Sequence, residues 1–271
     1  MKNTRIFTGL LCALLLSVVQ APFLVAHEFF VIPDVVKDYK AGDTVQINAL
    51  STHYFNVGEE LEAAEVNEVY AVQEGKKIGG NLKLEKNEAK IWYQTTYKLA
   101  NDTPTIIVGN RKGDFYCLFT DGEYADGKKA TVAKANPKKT IAKSRYFAKY
   151  SKLYLNPAAN DASFSTPLGH DIEIIPLSNP AALKKGAKPK FRVLYKGAPL
   201  ANTEIFATYD SYDPKTENAY AQKSKTNAKG EVSFTFNQSA LWIVRISDTR
   251  KSSYPDTDED NISAIAVFMV K

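Results

Sequence analysis

The chain has 271 residues, with 35 basic and 30 acidic side chains and a formal net charge of +5. Charges this closely balanced exclude a protein built around a strongly basic surface for nucleic acid or anionic membrane. The only cysteines, Cys12 and Cys117, allow at most one disulfide bond.

Residues 1–26 have the features of a secretory signal peptide. Lys2 and Arg5 precede an apolar run without acidic residues, and Gln20 and Pro22 interrupt that run. The run is therefore shorter than the roughly 20 apolar residues that a membrane span needs. We expect export followed by cleavage rather than anchoring.

The cleavage site decides how the exported chain begins. Cleavage after Ala21 would place Pro22 first, which signal peptidases tolerate poorly, so we expect cleavage after Ala26 and a chain that starts at His27. Of the two cysteines only Cys117 then remains, which excludes an intramolecular disulfide. An exported protein without disulfides or a further membrane span is typical of the bacterial periplasm.

Residues 27–165 show hydrophobic alternation with a period of two. The pattern is clear in 44–50, 67–73, 89–99 and 105–122, with turn residues between these segments. Such a pattern predicts antiparallel β-sheet. The lysine-rich stretch that follows, 128–152, is interpreted as a solvated face, and its part from Ile141 onward as a helix or an extended arm.

A loop-like segment, 156–171, precedes a second run of alternation. Turns at Lys196-Gly197 and around Gly230 separate short strands, and Val232, Phe234 and Phe236 alternate within one of them. Six or seven short strands in about 100 residues predict an immunoglobulin-like or transthyretin-like sandwich. We therefore predict an all-β protein with two β-sandwich domains, 27–165 and 166–271.

Several motifs resemble those of a known family. They are AHEFF at the predicted cleavage site, LGHDIEIIPLSNP (168–180), YKGAPLANTEI (195–205), TNAKGEVSFTF (226–236) and LWIVRI (241–246). Together they resemble the DUF4198, or NikM-like, family of bacterial exported proteins. The resemblance implies a periplasmic all-β protein linked with nickel and cobalt uptake, with Ni²⁺ or Co²⁺ as its ion and a membrane metal transporter as its partner.

The chain has three histidines: His27, His53 and His170. At the start of a cleaved chain, the α-amine and imidazole of His27 would chelate one ion, and an amine with a pKa of about 7.7–8.0 loses its proton readily to a metal. Nitrogen donors suit Ni²⁺ and Co²⁺ and also Cu²⁺ and Zn²⁺. The hypothesis is a metal site formed by all three histidines; the alternative is that they are hydrogen-bonding loop residues.

Catalytic motifs are absent from the sequence, which predicts a protein that is not an enzyme. Cys117 lies among aromatic residues and is predicted to be in the core. The acidic stretch 252–264 is interpreted as a solvated loop rather than a calcium loop, because it lacks the glycine and the terminal glutamate of that motif.

Two alternatives to metal uptake stay open. One is a non-catalytic interaction module for protein or glycan, which predicts that the histidines lie far apart. The other is a copper oxidase with a histidine brace, which predicts two facing histidines with an open coordination position.

Overall fold

The computed structural model describes residues 27–55, 57–59, 61 and 67–271, so the predicted signal peptide lies outside the described residues. Within these ranges the chain is mainly β-strand, with one α-helix, and the all-β prediction is confirmed. No helix in this part of the chain is long and apolar enough to cross a membrane.

Up to residue 155 the described chain forms nine strands and the helix. They are β1 (Glu28–Pro33), β2 (Thr44–Thr52), β3 (Asn67–Gln73), β4 (Lys76–Ile78), β5 (Glu85–Asn87), β6 (Trp92–Lys98), β7 (Thr105–Phe119), β8 (Tyr124–Asp126), α1 (Lys129–Ala135) and β9 (Ile141–Leu155).

The rest of the chain forms eight strands and two short 3₁₀ helices, Ser163–Ser165 and Pro180–Ala182. The strands are β10 (Ile172–Pro176), β11 (Lys190–Tyr195), β12 (Ala198–Pro199), β13 (Glu204–Tyr209), β14 (Gln222–Lys225), β15 (Glu231–Ser233), β16 (Leu241–Lys251) and β17 (Glu259–Met269).

These strands form three sheets. The front sheet has the order β1-β2-β6-β5, and the back sheet has the order β10-β11-β12 with β15 also paired to β11. The central sheet has the order β14-β13-β16-β17-β9-β7-β3-β4, with β8 paired to β7. Among the described strands, β9 and β17 form the one parallel pair.

The central sheet is buried on both faces. Ile243 of β16 packs into the core under the front sheet, whereas its neighbours Trp242 and Val244 pack into the core under the back sheet. Likewise Val267 of β17 faces the front core and Phe268 faces the back core. Burial on both faces explains why β17 is an almost continuous apolar run rather than an alternating one.

The central sheet contains strands from both sides of the predicted domain boundary between residues 165 and 166. The central sheet joins β13, β14, β16 and β17, from beyond the boundary, to β3, β4, β7 and β9, from before it. The two segments therefore share one sheet, and a sandwich forms on each side of it rather than one in each segment. Hydrophobic alternation marks the strands but does not say which strands pair across a long stretch of sequence.

The lysine-rich stretch is largely exposed up to residue 140, as expected of a solvated face, but that interpretation is wrong for the residues that follow. It contains α1 and much of β9, and β9 lies between β7 and β17 in the middle of the central sheet. Lys149 and Lys152 lie on opposite faces of β9 and are both buried, with 6% and 3% of their surface exposed. Cys117 is fully buried, so its prediction as a core residue is confirmed.

The acidic stretch after β16 is tied to basic and hydroxyl groups near the start of β9. The Asp258 carboxylate accepts hydrogen bonds from the backbone N of Ser144 at 2.7 Å and from its hydroxyl at 2.9 Å. Glu259 pairs with Lys143 at 2.6 Å and with Arg145 at 3.1 Å. The loop up to Asp258 is mostly exposed, as interpreted, but its acids and Glu259 also fasten β17 to β9.

Gly109 of β7 allows β1 to cross the central sheet closely. A Cβ at this position would lie 2.4 Å from Cγ1 of Val31 and 3.0 Å from Cε1 of Phe29. The neighbouring strand β9 also holds β1, because the backbone N of Val31 donates a 3.0 Å hydrogen bond to the hydroxyl of Ser151, the ladder partner of Gly109. The glycine thus fixes the position of β1.

We expect Gly109→Ala to lower the free energy of unfolding by about 1–3 kcal/mol, because the added methyl overpacks this contact. Urea denaturation measures the change. Gly80→Ala is the matched control, since a Cβ there meets no atom within 4 Å. Equal stability of the two variants would contradict the close approach of β1.

Candidate metal centre

The pairing of β1 with β2 brings two of the three histidines together. The last pair of this antiparallel ladder is Glu28 with Thr52, and the next residue outward on each strand is a histidine, His27 or His53. The centroids of the two imidazole rings lie 4.3 Å apart, with an angle of 39° between the ring planes. Strand register therefore places the two rings side by side.

The loop that follows β2 returns to the end of that strand and carries Glu59. The backbone N of Glu59 donates a 3.2 Å hydrogen bond to the carbonyl of Ser51. Gly58 allows this return, since a Cβ there would lie 2.3 Å from the carbonyl oxygen of Ile91. A larger residue at position 58 would push the loop, and Glu59 with it, away from the histidines.

The Glu59 carboxylate faces both histidines. Its Oε2 atom lies 3.2 Å from Nδ1 of His53 and accepts hydrogen bonds from the Thr52 hydroxyl at 3.0 Å and from the backbone N of His53. Partial burial alone would raise the pKa of Glu59, but these hydrogen bonds and the positive charge available on His53 and His27 hold that pKa below its ordinary value. The carboxylate is thus kept ionised, as a metal ligand must be.

His27, His53 and Glu59 form what we call the His–His–Glu group. One ligand atom from each residue lies within 4.8 Å of the other two, and this is the only such set of three or more His, Cys, Asp or Glu side chains in the part of the chain that the structure describes. Metal–ligand bonds of about 2.0–2.2 Å need ligand atoms somewhat closer than this, so small side-chain movements suffice. Two nitrogens and one carboxylate oxygen suit a divalent transition-metal ion.

Glu28 does not join the group, although it follows His27 directly. Its side chain is buried on the other face of β1, where Oε1 lies 2.5 Å from Nη2 of Arg245 and 3.4 Å from the Tyr220 hydroxyl. The alternation of side chains along a strand separates it from His27. The two side chains therefore lie in different environments.

A family profile described as "Domain of unknown function (DUF4198)" matches residues 24–250. The chain belongs to the DUF4198 family. The resemblance deduced from the sequence motifs is thereby confirmed, and the His–His–Glu group lies within the matched region.

No curated protein matches this DUF4198 chain. Two solved structures match 90% of its length: the D0-D1 domain of intimin, at 12% identity and a TM-score of 0.21 over 99% of that chain, and the full ectodomain (Ig1-Ig3) of mouse nectin-like molecule 4, at 10% identity and a TM-score of 0.20 over 65% of that chain. Similarity at this level carries no argument about the fold or function of the DUF4198 chain.

The third predicted ligand, His170, is not part of the His–His–Glu group. Its ring stacks on Tyr150 with centroids 4.6 Å apart, and its Nε2 atom lies 3.3 Å from the hydroxyl of Tyr70. His170 leads into the back sheet, whereas His27 and His53 lie at the end of the front sheet. A cluster of all three histidines is therefore not formed in this DUF4198 structure.

Burial of His170 makes the stability of the folded state sensitive to acid. Burial first, and then the charge of Lys152, lower the pKa of its ring to about 4 although Glu173 opposes this shift. The ring is therefore neutral in the folded state down to about that pH, whereas in the unfolded chain its pKa is about 6.5. The stabilisation by His170 is complete above about pH 6.5 and is lost as the pH falls towards 4.

We expect the free energy of unfolding to fall between pH 6.5 and 4, with His170 contributing up to about 1.4 kcal/mol per pH unit. In His170→Gln, where no ring titrates, the decline should be shallower. Urea denaturation of both proteins at several pH values measures the difference. Parallel curves would contradict a titrating role for His170.

Glu59 is the candidate ligand that sequence reasoning missed. It lies six residues after His53 in a Gly-Glu-Glu segment, a composition that is ordinary in loops. What brings Glu59 beside the histidines is the packing of Gly58 against the backbone of Ile91 and the hydrogen bond to Ser51. Both contacts are tertiary and leave no spacing pattern in the sequence.

Proposed function

We propose that this chain is an exported, periplasmic protein that binds a nickel or cobalt ion at the His–His–Glu group and assists its uptake by a membrane transporter. The observation that carries the proposal is the convergence of His27, His53 and Glu59 at the end of the β1–β2 ladder. In this proposal the protein carries the ion and catalyses no reaction.

The position of His27 adds to the donor set. Cleavage after Ala26 would give its α-amine to the site, so that one residue supplies two nitrogens to one ion. With the imidazole of His53 and the carboxylate of Glu59, the chain would then offer three nitrogens and one oxygen. One negative ligand charge leaves the bound divalent ion with net positive charge.

The choice of nickel or cobalt rests on the family resemblance rather than on the donor atoms. Copper binds such ligands more tightly than nickel or cobalt does, so the supply of each ion decides which one occupies the site. The neutral nitrogen donors nevertheless disfavour calcium and magnesium, which prefer oxygen ligands. The site therefore suits a transition-metal carrier.

The approach of His27 to His53 favours metal binding over the interaction module, for which scattered histidines are expected. The same approach is compatible with a copper histidine brace. We retain the copper oxidase as the second candidate, because two facing imidazoles and a terminal amine are the ligands that it needs.

Mass spectrometry of the exported protein, followed by calorimetric titration with Ni²⁺, Co²⁺, Cu²⁺ and Zn²⁺, tests the proposal. We expect a chain that starts at His27 and binds one ion of nickel or cobalt. A form with one glycine added before His27 is the matched control and should bind more weakly, because the α-amine is displaced. Absence of nickel and cobalt binding would overturn the proposal, and copper-dependent oxygen consumption would favour the oxidase.

A further inference from the structure

A cavity of about 220 Å³ adjoins the His–His–Glu group. His53 lies on its wall, and the opposite wall is the loop that connects β13 to β14, residues 210–221. Aromatic side chains form much of the lining: Phe30, Phe55, Tyr209, Tyr212 and Tyr220. The cavity thus combines a metal ligand with apolar surfaces able to hold an organic molecule.

Two buried polar atoms in the lining have no hydrogen-bond partner among the described residues. They are Oε2 of Glu28 and the hydroxyl of Thr208, which belong to lining residues only 2% and 3% exposed and are themselves covered by neighbouring atoms. Leaving such groups unsatisfied in a folded protein is costly, and native proteins rarely do so without a reason. A small rotation of the two side chains would turn these atoms towards the cavity, where a molecule that donates hydrogen bonds would satisfy both.

The charges of the lining restrict that molecule. Glu28 is neutralised by Arg245, but Asp210 and Asp213 add further negative charge, and His53 is the only basic side chain among the described residues of the lining. An anionic molecule would therefore be repelled. A neutral or positively charged molecule with N–H groups fits the lining.

The connecting loop is tied to the metal centre itself. The backbone N of Asn218 donates a 2.8 Å hydrogen bond to the carbonyl of His53, and the Tyr54 hydroxyl donates a 3.3 Å hydrogen bond to Oε1 of Glu217. The cavity and the His–His–Glu group thus share His53, and the loop on the cavity wall is hydrogen-bonded to its backbone.

We infer that this cavity binds the organic part of a metal complex: a small, neutral or cationic nitrogen chelator that accompanies the ion. The inference rests on the proposed function. Glu28 and Thr208 accept hydrogen bonds from the N–H groups of the chelator, and the tyrosines of the lining pack against its body. One of its donor atoms completes the coordination of the ion. The chain supplies four donor atoms in the proposed site, and a nickel or cobalt ion that takes up to six ligands keeps positions open for such a donor.

L-Histidine is a suitable probe, because it carries amine and imidazole nitrogens and forms a cationic one-to-one complex with Ni²⁺. Native mass spectrometry of the nickel-loaded protein should show a ternary species with one nickel and one L-histidine. Citrate, which gives an anionic nickel complex, should form no such species. In Thr208→Val, the L-histidine concentration needed for half-formation should rise about tenfold, because one hydrogen bond is lost.

Thr95→Val, a buried threonine of the front sheet, is the matched control and should behave like the wild type. Nickel bound without a ternary species, removal of nickel by L-histidine, or equal half-formation in Thr208→Val would overturn this inference while the proposed function stands. Failure of the wild type to bind nickel before L-histidine is added would overturn the proposed function and this inference with it.

Discussion

His53→Ala is expected to weaken nickel binding by more than about 100-fold, since even residues that only orient a metal ligand change affinity by 10–100-fold. The substitution removes one imidazole and also the partner of the Glu59 carboxylate, which lies 3.2 Å from the lost ring nitrogen. Calorimetric titration of the protein that starts at His27 measures the loss. His53 lies just beyond the end of β2 and belongs to neither of the two main core clusters, so the fold should persist.

His170→Gln is the matched control for this experiment. His170 lies outside the His–His–Glu group, and its replacement should leave the nickel affinity unchanged. Thermal unfolding of both variants separates a lost ligand from a lost fold. Equal nickel affinity of His53→Ala and the wild type would exclude the His–His–Glu group as the metal site.

Glu173→Ala is expected to lower the free energy of unfolding by about 3–5 kcal/mol, because it leaves a buried charge without its partner. Lys152 pairs with Glu173 in the back core, where their side chains are 4% and 2% exposed. Glu173 also accepts hydrogen bonds from the backbone N atoms of Leu168, Gly169 and His170. One substitution therefore leaves a cation and three amides unsatisfied.

Urea denaturation measures this loss, and Glu204→Ala supplies its control. Glu204 pairs with Lys223 at 2.9 Å, but both side chains are exposed, and exposed ion pairs contribute little to stability. We expect no measurable change in the control. A similar small effect of both substitutions would show that the Lys152–Glu173 pair does not stabilise the core.

The strands were predictable from the sequence because their side-chain pattern is local. Val232, Phe234 and Phe236 alternate in the sequence and all three are buried, and Trp242 is fully buried in the strand predicted for it. The partnership of β9 with β17 was not predictable, since it joins segments more than 100 residues apart. Buried lysines within a basic stretch carry no local signal that separates them from solvated ones.

The candidate metal centre was predictable only in part. His27 and His53 drew attention because their residue type binds metals, and strand register then places them side by side. His170 is also a histidine, but it lies beside the back sheet and not at the end of the front sheet. Glu59 depends on the path of one loop, which only the packed structure defines.

The parallel contact between β9 and β17 also has a consequence for the order of events during folding. β17, the last strand described, fills the middle of the central sheet, between β9 and β16. Neither half of that sheet can close until this strand has arrived, and pairing over such long sequence separations is slow. The central sheet should therefore close only after β17 has been synthesised, and the earlier strands should wait unjoined until then.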